Sequence, residues 1–209
     1  MLWMSNITDS QKIIGADEDI EFVLACQKGD TEAFEVLVER HQKQMFNIAY
    51  RMTGDYSEAC DVTQEAFIAA YKSIKKFKAE AKFSTWLYRI VVNFSRNRLK
   101  QLRTKHLRES PGMDESGEMK AESDLMQSFA GDADPGSLME RREKEAHVQQ
   151  CITSLDDDYR DVLVLRDIQG FSYEEIRDIL KIPDGTVKSR LSRARNALKD
   201  CLVKVIGDL

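Results

Sequence analysis

No apolar run in this sequence approaches the ~20 residues that a membrane-spanning helix needs, and the opening MLWMSNIT has neither a basic start nor a long apolar core. Neither a span nor a secretory leader is expected, which places the chain in the cytoplasm. Cysteine is sparse: Cys26, Cys60, Cys151 and Cys201 are scattered without paired spacing. This argues against a disulfide framework and a four-cysteine zinc site, and leaves reduced, mostly buried thiols as the expectation. His147 and Cys151 stand at i and i+4 on an expected helix, but the next position in that register is Ser154. Two ligands do not make a metal site. Nor is there a nucleophile, base and orienting group in sequence, or a phosphate loop, so neither an enzyme nor a cofactor is expected. Proline occurs only three times and β signal is slight, which leaves helix as the main structure.

What is present is charge, unevenly spread. The 209 residues are 42% hydrophobic and 32% charged, with a net charge of −5, an odd balance for a nucleic-acid binder until the charges are mapped. Lys82 to Arg108 contains no acid but holds Lys82, Arg89, Arg96, Arg98, Lys100, Arg103, Lys105 and Arg108. Gly185 to Lys199 is likewise acid-free, with Lys188, Arg190, Arg193, Arg195 and Lys199. Between them, residues 109–136 hold Glu109, Asp114, Glu115, Glu118, Glu122, Asp124, Asp132 and Asp134 against Lys120 alone. That stretch is also rich in Ser and Gly and shows no helical period, so it reads as a solvated linker.

Periodicity on either side predicts helices. Asp19 to Lys28 ends at Gly29, and Thr31 to Thr53 carries Phe34, Leu37, Val38, Met45, Ile48 and Met52 on one face before Gly54. From Tyr56 to about Lys76, the residues Ala59, Cys60, Thr63, Ala66, Phe67, Ala70 and Ile74 run down one side, with Asp61, Gln64 and Glu65 on or near the other. After a loop, Ser84 or Thr85 is expected to cap a fourth helix burying Leu87, Ile90, Val91 and Phe94 and running to about Arg103. Beyond the linker, helices are expected over 140–152 and 158–168. The expectation is an all-α protein of two small helical domains joined by a flexible acidic linker: an extension over 1–18, a domain over 19–104, the linker over 105–136 and a second domain over 137–209.

The second domain closes with the most specific local pattern, Phe171 to Lys199. Ser172 with Glu175 forms a capping box for a helix burying Ile176, Ile179 and Leu180. Lys181, Ile182, Pro183, Asp184 and Gly185 break it, and a new helix begins between Pro183 and Thr186. Val187, Leu191, Ala194 and Leu198 share its buried face, which turns Lys188, Ser189, Ser192, Arg193 and Asn196 outward. This is a helix-turn-helix with a reading face suited to a DNA groove.

A second DNA chemistry is written between Lys72 and Arg103, where Lys75, Lys76, Phe77, Lys82, Phe83, Trp86, Tyr88, Arg89, Asn93, Phe94 and Arg96 interleave cations with rings. Cations follow phosphates, and exposed rings stack on unpaired bases at ~1–3 kcal/mol per base. The same spacing also suits rings that are simply core, with the lysines a solvated face.

Three separated stretches, in order, carry a resemblance: Asp61 to Phe67; Phe83 to Ile90 with Asn93; and Tyr159 to Leu163 followed by Phe171 to Leu191. Together they resemble the extracytoplasmic-function group of bacterial sigma-70-family sigma factors, over about residues 19–203. The resemblance implies an alternative sigma factor that binds core RNA polymerase, reads a two-part promoter and helps to open DNA. It implies that Asp61, Gln64 and Glu65 grip the coiled coil of the largest polymerase subunit, and that the second domain meets the flap of the second-largest. It assigns Lys76, Lys82, Phe83, Trp86, Arg89, Asn93 and Arg96 to the minus-ten element, and Thr186, Lys188, Ser189, Arg190, Ser192 and Arg193 to the minus-thirty-five element. Arg190 either meets phosphate or ties helices together. An anti-sigma factor is implied as an inhibitory partner, and the linker is implied to thread the polymerase's RNA channel.

The chain departs from the family pattern at Arg177, Lys181 and Asp184; Asp184 either caps the second helix or accepts from cytosine N4. A freestanding helix-turn-helix regulator is the alternative, but it leaves residues 55–103 without a role. An enzyme built on Cys60 lacks the partners named above.

Overall fold

Ile20–Gln27 (α1), Glu32–Thr53 (α2) and Tyr56–Ser73 (α3) open a computed structural model that describes residues 17–108 and 135–207. A 3₁₀ turn, Ile74–Lys76, leads into the long α4, Phe83–Arg108. The second half holds Pro135–Ser154 (α5), Asp157–Leu163 (α6) continued by a π-helical turn Val164–Ile168, Tyr173–Leu180 (α7) and Asp184–Ile206 (α8). No strand occurs among the described residues. All of the expected extension but Asp17 and Glu18, and most of the expected linker, lie outside them; α4 runs on to Arg108 and α5 opens at Pro135, so each helix takes in an end of the stretch expected as linker.

The first half is a packed bundle of α2, α3 and α4 with α1 across it. Leu37, Met45 and Ile48 of α2, Val62 and Ala66 of α3, and Phe83, Leu87 and Val91 of α4 are all buried. Gly54 ends α2 in the left-handed region, at φ 78°, with its amide donating to the Tyr50 carbonyl at 2.8 Å. A side chain there would also collide, since a Cβ would stand 2.6 Å from Thr153 Cγ2 of α5. The start of α4 corrects the sequence expectation: Ser84 and Thr85 lie inside its first turn, and the Phe83 amide donates instead to Asp17 Oδ2 at 2.6 Å. A residue far away in sequence supplies the partner that local caps usually supply.

In the second half the helix-turn-helix follows its sequence pattern. Ser172 and Glu175 complete the capping box, Lys181 turns the chain at φ 57°, and Val187, Leu191 and Ala194 of α8 are buried against Ile176 and Ile179 of α7. Asp184 is not the cap; it opens the helix behind Pro183. Arg160 is fully buried and donates to the carbonyls of Ile152 (3.1 Å), Thr153 (2.6 Å) and Leu155 (2.6 Å), satisfying the end of α5.

Two cysteine expectations fail. Cys151 of α5 and Cys201 of α8 form a disulfide, because helices distant in sequence bring their Cα atoms to 5.7 Å. Cys60 is exposed, although its spacing placed it on the buried side of α3, while Cys26 is buried.

The two halves pack against each other, and one buried cluster runs from Val23 in α1 to Ala194 in α8. Across the junction the Tyr88 and Phe171 rings lie 5.2 Å apart, and Gln149 Nε2 donates to the Arg51 carbonyl at 3.1 Å.

Candidate nucleic-acid interface

Helix α8 is built so that one side is anchored and the other offered. With Val187, Leu191 and Ala194 buried, Lys188, Ser189, Ser192 and Arg193 are exposed, and Thr186 is half-exposed in the first turn. The free amides of that first turn add partial positive charge at the N-terminal end. Arg190 is the exception. Its guanidinium binds Asp158 of α6, so of the two roles expected for it, the structure has it tying helices together. Arg177 is held by Asp178 at 3.1 Å and stands 3.9 Å from Asp184, which leaves the carboxylate of Asp184 partly compensated.

Helix α4 and the loop before it hold the second set. Lys76, Lys82 and Asn93 are exposed. Phe83 must be corrected: its ring is completely buried against Phe77 and Trp86, with no face open to a base. Tyr88 is likewise core, and its hydroxyl donates to Gln44 at 2.6 Å. Trp86 is half-buried on the same ring cluster. Periodicity could not separate these rings, because interleaved cations and aromatics put core and surface side chains on adjacent positions of the same turn.

Arg89 and Arg96 are placed differently from the other minus-ten candidates. Arg89 Nη2 donates to the Asp178 carbonyl at 2.6 Å and its Nε to the Ile179 carbonyl at 3.3 Å, both in the last turn of α7. Arg96 forms an ion pair with the fully buried Asp161 of α6 and reaches Asp158 at 3.4 Å. Burial pushes the Asp161 carboxyl up to about 6, a rise that Arg96 and then Arg160 oppose but do not cancel. Farther along α4, Arg103 makes a bidentate pair with Asp157 at 3.0 and 3.2 Å.

The third set lies on α3. Asp61, Gln64 and Glu65 are exposed, and the two acids border the seam with α4, where Arg98 binds Glu58 at 2.7 Å and Glu65 at 2.8 Å and approaches Asp61 at 3.7 Å. Gln64 faces solvent beside them. Sequence inspection missed Arg98 as the organiser of this acidic edge; the signal was the spacing of Glu58, Asp61 and Glu65, which puts all three on one stripe.

Among the described residues, no group of three His, Cys, Asp or Glu side chains could hold a metal ion, and no helix is long and apolar enough to cross a membrane.

Comparison with known proteins adds to this geometry. A family model described as Sigma-70 region 2 matches residues 37–105, and one described as Sigma-70, region 4, matches residues 146–198. The RNA polymerase sigma-H factor of Pseudomonas aeruginosa is 37% identical over 192 residues, 92% of this chain and 97% of that protein. The ECF RNA polymerase sigma factor SigW of Bacillus subtilis is 38% identical over 173 residues, 83% of this chain and 90% of its own length. Among solved structures, CnrH in complex with the cytosolic domain of CnrY superposes with a TM-score of 0.64 at 24% identity, covering 90% of this chain and 99% of that one. The sigma factor RpoE of Bartonella quintana, in complex with the anti-sigma factor NepR, gives 0.61 at 23% identity, over 84% and 99% of the two chains. These two share the fold.

Proposed function

The chain belongs to the extracytoplasmic-function group of the sigma-70 family of RNA polymerase sigma factors, and from that membership we propose how its surfaces divide the work of starting transcription. It is an alternative sigma factor that directs promoter-specific initiation. On this proposal Asp61, Gln64 and Glu65 dock on the basic coiled coil of the largest polymerase subunit. The exposed side of α8, from Thr186 through Arg193, reads the minus-thirty-five duplex. Lys76, Lys82, Trp86, Arg89, Asn93 and Arg96 hold the melted minus-ten strand, with Phe83 as the core residue that fixes the loop behind them. The division follows from chemistry: α8 offers hydroxyls and cations for base edges and phosphates in a duplex, whereas α4 combines cations with a half-exposed indole. All of it is binding work, with no covalent step assigned to the chain.

The observation that supports this reading most directly is the two-sided build of α8, buried through Val187, Leu191 and Ala194 and open through Lys188, Ser189, Ser192 and Arg193. An anti-sigma partner belongs to the proposal as well, since the sigma factor RpoE of Bartonella quintana, of the same fold, was captured with the anti-sigma factor NepR. Run-off transcription with purified core polymerase tests the function. Transcripts from a restricted set of promoters are expected, and the absence of initiation at every promoter of the source genome would overturn it.

A further inference from the structure

The stretch from Lys76 to Phe83, which leads into α4, alternates. Lys76, Lys78, Glu80 and Lys82 are exposed, whereas Phe77, Ala79 and Phe83 are buried and Ala81 is half-buried. A period of two turns one edge of an extended chain to the core and the other to solvent. Midway, Ala79 has φ at 54°, a left-handed backbone that a residue with a Cβ keeps only where its surroundings fix it. Helix α1 supplies the fixing. Gln27, its last residue, donates from Nε2 to the carbonyls of Ile74 and Phe77, at 3.0 Å each. Both partners are acceptors, so the amide nitrogen directs its two hydrogens at the entrance of the loop. At the exit, Asp17, just ahead of α1, accepts the Phe83 amide. Inside, the Phe77 ring lies 5.3 Å from Trp86, so whatever sets the Phe77 backbone also sets the indole.

We infer that α1 shapes the loop that meets the melted minus-ten strand, with Gln27 as its positioning residue, holding Lys76, Lys82 and the half-buried Trp86 in the receiving pose before DNA arrives. This rests on the assignment of those three residues to the minus-ten strand. Gln27 touches no DNA; it acts through the Ile74 and Phe77 carbonyls. A loop already in its bound pose needs no ordering when the strand binds, and apparent affinity falls in proportion to the time the loop spends out of that pose. The burial of the Phe77 and Phe83 rings does not depend on the Gln27 hydrogen bonds, so losing them loosens the loop without dismantling the bundle. Neither α8 nor the acidic edge of α3 takes part in the clamp. Its loss therefore falls on strand capture alone.

The test uses holoenzyme, made from the full chain and core polymerase, at the strongest promoter found by run-off transcription. Gln27→Met keeps the length of the side chain and removes its N–H groups, and Gln27→Lys restores donors. Leu24→Lys, on the exposed side of α1, adds the same charge away from the loop. Gln27→Asn, one methylene too short for both carbonyls, is the milder companion should Gln27→Met lose helical content. Fluorescence of 2-aminopurine in the minus-ten element reads strand capture, gel shift on a duplex carrying only the upstream element reads α8, and core binding reads docking. Hydrogen exchange over residues 77–83 of the free chain reads the loop itself. Gln27→Met is expected to give roughly tenfold fewer open complexes and roughly tenfold faster exchange, as for the loss of about one net hydrogen bond. Gln27→Lys should recover most of both, Leu24→Lys should change neither, and upstream and core binding should stay at the native level throughout. Native levels of open complex with Gln27→Met, an equal loss in upstream or core binding, or no recovery by Gln27→Lys would overturn the inference. A native holoenzyme that starts at no promoter would remove the sigma-factor reading, and this inference with it.

Discussion

Asp17 Oδ2 accepts the backbone N–H of Phe83 at 2.6 Å, while its other oxygen accepts the Asp19 amide at 3.1 Å. One carboxylate thus pins the start of α1 to the start of the helix that carries the minus-ten surface. Asp17→Ala leaves the Phe83 amide buried without its acceptor, and a loss of about 1 to 2 kcal/mol is expected in urea unfolding. Asp17→Asn, which keeps an acceptor oxygen, should recover part of it.

Gly54→Ala meets two obstacles, a left-handed backbone and a Cβ 2.6 Å from Thr153 Cγ2. A destabilisation of about 1 to 3 kcal/mol is expected from the two together. Adding Thr153→Ala removes the collision but not the backbone penalty, so a double-mutant cycle by urea unfolding should show positive recovery in the pair.

Asp161 gives the folded chain a pH dependence of defined sign. Burial lifts its carboxyl to about 6, above its ordinary 3.8, so the native state holds this proton more tightly than the unfolded chain does. The contribution favours folding fully below 3.8 and is lost as pH rises through about 6. Native chain taken from pH 7 to pH 5 should therefore gain stability relative to Asp161→Asn over the same interval. Denaturant midpoints for both chains at the two pH values measure it, and parallel pH profiles would contradict it.

The Cys151 to Cys201 bridge closes a loop with a sequence separation of 50. By loop entropy its reduction should cost about 4 kcal/mol. Unfolding of the native chain with and without dithiothreitol, beside Cys151→Ser, checks this; the serine variant should be insensitive to the reductant.

Arg193→Ala removes an exposed guanidinium from the centre of the reading face. If it forks onto a guanine, affinity for the upstream element falls by ~1–3 kcal/mol in gel-shift titrations with holoenzyme, and discrimination at that base pair is lost with it.

The features legible in sequence were those whose causes are local. The capping box at Ser172 and Glu175, the break at Pro183 and the apolar spacing of Val187, Leu191 and Ala194 lie within one short stretch, and the helix-turn-helix follows from them. What escaped inspection depends on residues far apart in sequence. The cap of α4 comes from Asp17, the disulfide joins helices that meet only through packing, and Phe83 is core because α2 and the Phe77 turn enclose it. Arg89, Arg96 and Arg103 were legible as cations of an acid-free stretch, but their partners on α6 and α7 were not, since nothing local says which domain such a cation will face.

The buried cluster that passes from α1 through the Tyr88 and Phe171 contact to α8 makes the two halves one thermodynamic unit. Small helical units bury a modest share of their surface and are marginal alone. Heating should therefore melt both halves in a single calorimetric transition, and two separate transitions would contradict it. Each half leans on the other for part of its core, and the ring contact at this junction is where that mutual support is made.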